Sequence, residues 1–193
     1  MLRLALSLAS TDRDEPPGGE QIMLKKPILI REAEIEDMPF LQAMIWEGML
    51  ASPNFLDHYE VESMRQAEEE YWQKWKEYPD PAFVAVDATG QKLGAITIKP
   101  DDGEIPIQSW RIGIGVEKEA RGLGVGRSLI ERAIIDAKAR GAKFVTLFVD
   151  PSNTMARTLY EHMGFIKIEE RDEMIKMQVG IIVHQNDLQK SPE

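Results

Sequence analysis

A glycine-rich loop between a predicted strand and a long predicted helix restricts how this chain can fold more than any other feature. Residues 121–127 contain three alternate glycines, Gly122, Gly124 and Gly126. Glycine carries no side chain, so a ligand can approach the backbone closely at the point where the helix begins. The unpaired amides of the first helical turn and the positive end of the helix dipole then act together. The loop therefore predicts an anion site that suits a pyrophosphate.

The spacing of these glycines excludes two common nucleotide-binding loops. No Gly-Lys-Ser/Thr follows, so the segment is not a P-loop. The spacing Gly-x-Gly-x-Gly differs from the Gly-x-Gly-x-x-Gly of dinucleotide-binding folds, and the preceding strand belongs to a meander rather than to a βαβ unit.

The apolar pattern along the chain predicts a mixed α/β fold in the order strand, two helices, three strands, helix, strand, helix, two strands. Helical spacing of apolar residues covers 34–50, 61–78, 122–140 and 152–163. Strands are predicted at 28–30, 83–86, 93–98, 107–116, 144–149, 165–168 and 174–179. Gly113 and Gly115 inside one of these strands indicate either a bulge or a close approach of another group to the backbone.

Two segments together resemble the signatures of the GNAT superfamily of N-acetyltransferases. Residues 121–126 are similar to its Arg/Gln-x-x-Gly-x-Gly/Ala motif, and residues 153–165 are similar to Asn-x-x-Ala-x-x-Leu-Tyr-x-x-x-Gly-Phe. The order of the two, with a helix and a strand between them, is far more specific than either alone. The resemblance implies a GNAT-like mixed, mostly antiparallel sheet of about seven strands flanked by about four helices, splayed at the strand before the loop.

The resemblance also implies acetyl-CoA as the acyl donor. The splayed strand would pair its backbone with pantetheine, and the loop amides would hold the pyrophosphate. The residues assigned to the cofactor on this basis are Ile114, Gly115, Val116, Arg121, Gly122, Leu123, Gly124, Val125, Gly126, Arg127, Asn153, Arg157 and Tyr160. For Arg121 and Arg127 the alternative is an exposed cation at a helix start, and for Asn153 it is a helix cap.

Tyr160 is the catalytic residue that the resemblance implies. Transfer of an acetyl group from a thioester to an amine expels a thiolate, which a nearby phenol can stabilise or protonate. The alternative is a tyrosine packed by its ring with its hydroxyl at the surface. The backbone amide of Val116 is the expected oxyanion donor. For the base that deprotonates the amine, Glu104, Glu117 and a water relay all remain open.

The charge distribution indicates which acceptor the protein prefers. The formal charge of −10 argues against nucleic-acid binding. Residues 32–80 carry 13 acidic and three basic side chains, which is either a solvated surface or a field that attracts a cationic amine. We expect a small-molecule or peptide amine acceptor, in a pocket drawn from an aromatic-rich region. Its aromatic and histidine side chains are Trp46, Phe55, His58, Tyr59, Tyr71, Trp72, Trp75 and Tyr78.

The composition and the chain ends complete these expectations. There is no cysteine and only three scattered histidines, so no metal site is expected. We expect a flexible extension at 1–26, one acetyltransferase domain at 27–179 and a tail at 180–193 whose edge strand would pair two subunits. The apolar run at 2–9 is too short to span a membrane, so we expect a cytoplasmic protein. The alternative functions are a non-catalytic acyl-CoA-binding or sensor domain and the use of another acyl donor.

Overall fold

The computed structural model describes residues 27–52, 60–101, 108–171 and 174–181. In those ranges the helices are α1 (Met38–Leu50), α2 (Val61–Glu77), α3 (Val125–Ala139) and α4 (Thr154–His162). The strands are β1 (Leu29–Glu32), β2 (Ala82–Val86), β3 (Lys92–Pro100), β4 (Ser109–Val116), β5 (Phe144–Val149), β6 (Ile166–Arg171) and β7 (Met174–Gly180). The expectations for residues 1–26, Phe55, His58, Tyr59, Glu104 and the tail beyond residue 181 lie outside the described residues.

The seven strands form one sheet in the order β1-β2-β3-β4-β5-β7-β6. Every pair is antiparallel except β4 with β5. That parallel pair is short, since only Ser109, Trp110 and Arg111 face partners on β5. β4 continues to Val116 and β5 to Val149, so the two strands diverge beyond Arg111. The predicted fold class, including the splay before the glycine loop, is confirmed.

The helix after the glycine loop begins later than its apolar pattern predicts. It starts at Val125 rather than at Gly122, because Gly122 and Gly124 have φ angles of +75° and +91° and leave the helical region. Leu123, an apolar residue within the predicted helical range, is 50% exposed. Val125 is buried in its place.

The core lies on both faces of the sheet. On one face α3 packs its buried residues against β2, β3 and β4, and the large side chains there include Phe83, Ile96 and Leu129. On the other face α1 and α2 bury Leu41, Met44, Trp72 and Trp75 against Val84, Val86 and Ala95. The two faces alternate along β2, as expected for a strand buried on both sides.

Helix α1 packs directly on the backbone of β4. A Cβ atom at Gly115 would lie 1.7 Å from the carbonyl oxygen of Met44, and one at Gly48 would lie 2.2 Å from that of Ile114. Both glycines are therefore required for this contact. β3 and β4 pair without a register shift, so the bulge interpretation of Gly113 and Gly115 is wrong and the close-approach interpretation is confirmed.

A buried carboxylate, Asp101, lies where β4 and β5 still pair. It accepts a hydrogen bond from the Thr146 hydroxyl at 2.9 Å and forms an ion pair with Lys176 at 2.8 Å. Arg111 lies 3.7 Å from its other oxygen. The carboxylate thus connects the end of β3 to β4, β5 and β7.

A second buried carboxylate, Asp37, anchors the segment before α1. Arg31 donates to its two oxygens at 2.5 and 2.9 Å, Lys92 lies at 2.6 Å, and the Glu34 amide donates at 2.9 Å. The Arg31 guanidinium, together with Lys92 and this amide, holds the pKa of Asp37 well below its usual range. Asp37 therefore fixes the start of α1 against β1 and β3.

We expect Asp37→Asn to lower the free energy of unfolding by about 3 kcal/mol at pH 7, because it leaves a buried position with two uncompensated cations. A carboxylate whose pKa is lowered by folding contributes stability above its unfolded pKa of about 4 and loses that contribution as the pH falls further. The stabilities of wild type and variant should thus converge below pH 4. Urea unfolding at several pH values measures this.

Glu161→Gln is the matched control, because its ion pair with Arg157 is long and exposed. A loss for Asp37→Asn no larger than that of this control would contradict the role assigned to the buried carboxylate.

Candidate active site

The opening between β4 and β5 presents backbone groups of β4 that have no strand partner. The backbone amide of Asp101 donates to the Ser109 carbonyl, and the backbone amide of Glu117 donates to the Leu93 carbonyl. These two hydrogen bonds show which residues of β4 bond to β3. By the alternation of an antiparallel ladder, Gly113 and Gly115 bond to β3. The N–H and C=O groups of Ile114 and Val116 therefore point toward the opening. Gly115, predicted as a backbone partner of the cofactor, directs its polar groups to Ala95 instead.

The glycine loop directs a set of unpaired amides toward the same place. Ser128 is the first residue of α3 whose amide bonds back into the turn, at 3.1 Å from the Gly124 carbonyl. Among the described residues, nothing accepts a hydrogen bond from the amides of Gly122, Gly124, Val125, Gly126 or Arg127. Alternating left- and right-handed residues make such amides converge on an anion. Leu123 departs from this set, because its amide donates to the Ala120 carbonyl at 3.4 Å.

A cavity of about 430 Å³ joins the strand opening to the loop. Most of the residues predicted for the cofactor line it: Ile114, Gly115, Val116, Arg121, Gly122, Gly124, Val125, Gly126, Arg127, Asn153 and Tyr160. Leu123 and Arg157 do not. The structure therefore brings eleven of the thirteen predicted positions together around one space.

Tyr160 lies on the wall of this cavity. Its residue is 7% exposed, and its ring packs against Phe165 with centroids 5.9 Å apart. Burial raises the pKa of its hydroxyl to about 12, so the phenol is protonated at neutral pH. No described residue hydrogen bonds the hydroxyl, which leaves it able to donate to a ligand.

The Asn153 side chain lines the cavity, whereas the Arg157 side chain does not. The Asn153 side chain accepts a hydrogen bond from the Ala156 amide at 3.1 Å, so it caps α4 while also lining the cavity. Arg157 instead donates to the Pro151 carbonyl at 3.1 Å and borders a separate cleft beside β6 and β7. The expectation that Arg157 reaches the cofactor is not met by this arrangement.

Arg121 is held at the edge of the cavity by two contacts. Its Nε donates to the Val116 carbonyl at 3.2 Å, and its Nη2 pairs with Glu47 of α1 at 2.5 Å. Arg127 is more exposed and pairs with Glu131 one turn along α3 at 2.8 Å. Both arginines therefore place positive charge beside the unpaired amides.

The sequence also left several wall residues unidentified. Gly48 comes from α1 and Ala51 directly follows it, and Met155, Ala156 and Leu159 come from α4. Leu159 lies 3.3 Å from where a Cβ at Gly126 would be, so this glycine allows α3 to start close to α4. The helical spacing of Ala156 and Leu159 within the second signature was the available signal for the α4 residues.

No described residue of the cavity wall is acidic or a histidine. Glu117 follows β4 but does not line the cavity. Glu47 does not line the cavity either, but it pairs with the wall residue Arg121. The described walls therefore favour an anionic ligand and supply no carboxylate base.

The aromatic residues expected around the acceptor are divided between several places. Trp46 and Trp72 border a cleft between α1 and α2 that shares no lining residue with the main cavity. Trp75 is in the core, Tyr71 donates a hydrogen bond to Asp80, and Tyr78 is 72% exposed. The described part of the chain has no grouping of side chains that could hold a metal ion and no helix with the length and apolarity to cross a bilayer.

Curated relatives of this chain carry the name mycothiol acetyltransferase. The protein from Beutenbergia cavernae is 35% identical over an alignment of 114 residues that covers 56% of this chain and 34% of that protein. The protein from Pseudarthrobacter chlorophenolicus is 33% identical over an alignment of 140 residues that covers 67% of this chain and 42% of that protein. The chain thus spans less than half the length of these relatives.

Solved structures with the same fold include a putative acetyltransferase from Salmonella typhimurium with its cofactor acetyl-CoA. Its TM-score is 0.61 at 17% identity, and the match covers 82% of this chain and 96% of the Salmonella protein. Spermidine N-acetyltransferase from Vibrio cholerae, in complex with CoA and spermine, has a TM-score of 0.60 at 22% identity. The match covers 80% of this chain and 95% of the Vibrio protein. At these identities the likeness establishes the fold.

The model of the acetyltransferase (GNAT) family matches residues 49–165, which contain the diverging strands, the glycine loop and the Tyr160 helix. This range is more than half of the chain. The chain therefore belongs to the GNAT acetyltransferase family.

Proposed function

We propose that this protein is an N-acetyltransferase that moves an acetyl group from acetyl-CoA to a primary amine by direct attack. One observation carries the proposal: the unpaired backbone groups of β4, the unpaired amides of the loop and the unpartnered Tyr160 hydroxyl all border one cavity. Each suits a different part of an acyl-CoA.

The donor would be bound mainly by backbone groups. The N–H groups of Ile114 and Val116 and the C=O group of Ile114 suit the amides of pantetheine, because they have no strand partner. The Val116 carbonyl is already bonded to Arg121. The loop amides suit the pyrophosphate, with the α3 dipole adding to them. Arg121 and Arg127 contribute charge, and the described wall contains no acid that would repel the phosphates.

The chemistry assigned to the protein consists of two hydrogen-bond donors around the thioester. The Val116 amide stabilises negative charge that develops on the thioester oxygen as the C–N bond forms. The Tyr160 phenol gives its proton to the sulfur as the C–S bond breaks, and solvent returns that proton. The acceptor must attack as the neutral amine, so its ammonium proton is lost to water before the C–N bond forms. The extra proton on the nitrogen of the tetrahedral intermediate also passes to water as the amide forms, since the described wall offers no carboxylate to accept it.

The acceptor class is a primary amine on a small molecule or a peptide. Relatives and structural neighbours are named for mycothiol and for spermidine, which are chemically unlike each other. The acidic segment 32–80 favours a cationic acceptor through its field. Whichever amine it is, it must approach the thioester from outside the donor cavity, because the donor would occupy the space between β4 and β5.

Release of free thiol from acetyl-CoA over a panel of amines tests the proposal directly. The panel should contain polyamines, amino sugars, amino acids and short peptides, with butyryl- and succinyl-CoA as alternative donors. Tight CoA binding with no turnover of any amine would instead support a non-catalytic acyl-CoA-binding domain. The absence of a carboxylate from the described wall is the observation that favours this second function.

We expect Tyr160→Phe to lower kcat about 100-fold, because it removes the proton donor for the thiolate while preserving the packing against Phe165. The Kd for CoA should change less than twofold, since the ring remains. Steady-state kinetics and calorimetry measure the two quantities. Tyr78→Phe, at an exposed tyrosine, is the control. An unaltered kcat would remove Tyr160 from the mechanism.

We expect Gly124→Asp to abolish detectable CoA binding, because it places a carboxylate among the amides that would hold the pyrophosphate. Gly124 has a φ angle of +91°, which asparagine and aspartate tolerate better than most residues. Gly124→Asn is therefore the matched control for backbone strain, and it should retain measurable affinity by calorimetry. Equal affinities for the two variants would show that the pyrophosphate binds elsewhere.

A further inference from the structure

The ion pair between Glu47 and Arg121 connects α1 to the start of the glycine loop. Glu47 lies in the last turn of α1, next to Gly48, whose backbone packs on Ile114. Its Oε1 is 2.5 Å from Nη2 of Arg121, and the two side chains are 38% and 31% exposed. The pair therefore lies at the edge of the cavity rather than in its interior.

The Arg121 guanidinium is fixed at two of its three nitrogens. Nη2 pairs with Glu47, and Nε donates to the Val116 carbonyl at 3.2 Å. Among the described residues nothing accepts a hydrogen bond from Nη1, and Arg121 lines the cavity. One nitrogen of a positioned guanidinium is thus left for a ligand.

We propose that Glu47 is a positioning residue for the acyl-CoA site. It holds Arg121 against the end of β4, so that the guanidinium is already in place when the anionic part of the donor enters. The inference rests on the proposed function, because it assumes that an acyl-CoA occupies the cavity. Glu47 itself does not line the cavity and would act through Arg121.

Two opposing effects decide whether a substitution at Glu47 strengthens or weakens CoA binding. The carboxylate lowers the net positive charge beside the site, and its loss alone would strengthen binding of an anion. The carboxylate also restricts a long, flexible side chain, and its loss would make the ligand bear the cost of ordering it. Arg121 is already partly screened by solvent, which weakens the first effect. We therefore expect the positioning effect to prevail.

We expect Glu47→Gln to raise the Kd for CoA and the KM for acetyl-CoA about fivefold to tenfold, which corresponds to about 1.0–1.4 kcal/mol. The kcat should stay within twofold, because Tyr160 and the Val116 amide are retained. Calorimetry with CoA and steady-state kinetics give the values. Asp136→Asn is the matched control, because its pair with Arg140 is also short, at 2.6 Å, and borders no part of the cavity.

A double-mutant cycle separates positioning from a general structural effect. If Glu47 acts through Arg121, adding Glu47→Gln to Arg121→Gln should leave the Kd of the single Arg121→Gln variant unchanged. Thermal unfolding of each variant reports stability independently. Should Glu47→Gln fold poorly, Glu47→Asp provides the second variant, since it keeps the charge but shortens the reach, and it should show the same split between KM and kcat at a smaller size.

The outcomes distinguish this inference from the function on which it rests. Unchanged or tighter CoA binding by Glu47→Gln overturns the inference, and so does an additive loss in the double mutant. A lower melting temperature of Glu47→Gln with normal CoA affinity also overturns it, because Glu47 would then only stabilise the packing of α1. Failure of the wild-type protein to bind CoA at all would instead remove the proposed function.

Discussion

The divergence of β4 from β5 is the constraint on which the rest of the structure depends. Two parallel strands that separate after three paired residues expose backbone groups that would otherwise be bonded, and such groups are costly to leave unsatisfied away from water. The structure holds the strands at both ends of the opening. Asp101 ties them where they still pair, through Thr146 and Arg111. α1 packs on β4 where they are apart, through Gly48 and Gly115.

This arrangement explains why so much of the site is backbone. The opening supplies strand amides and carbonyls, and the loop supplies the first-turn amides of α3. Neither set carries a net charge, yet both are fixed by the fold and need no reorganisation when a ligand enters. An acidic protein with a formal charge of −10 can therefore offer a site for an anion, provided that acidic side chains stay away from its walls.

The sequence predicted the fold and selected eleven residues that line one cavity, because the two signatures are local and ordered along the chain. What it could not predict was the direction of individual groups. Helical spacing places Arg157 near the face of Asn153 and Tyr160, but its long side chain reaches back to the Pro151 carbonyl. Gly115 lines the cavity, but its N–H and C=O groups bond to β3. Which residues of a strand bond to a given neighbour depends on the pairing register, and the sequence of one strand does not reveal that register.

Glu47 illustrates a different limit. In the sequence it is one of 13 acids within residues 32–80 and has no distinguishing neighbour. Its partner Arg121 lies 74 positions away, so only the packing of α1 on β4 brings the two together. The Gly48–Ile114 contact sets that packing, and it depends on a missing side chain, which a pattern of apolar residues does not record.

The acid-free wall is compatible with the proposed pairing of an anionic donor and a cationic acceptor, because the two would bind at surfaces of opposite charge. A carboxylate near the loop would repel the phosphates of an acyl-CoA, so a base placed there would weaken donor binding. The exposed acids of α2 do not line the cavity, so under the proposed function they would attract a cationic acceptor over a longer range without contacting the donor. α1 lies between these two regions, packed on β4 on one side and on α2 on the other. Glu47 is then the acid that faces the donor side, and its charge is neutralised there by Arg121.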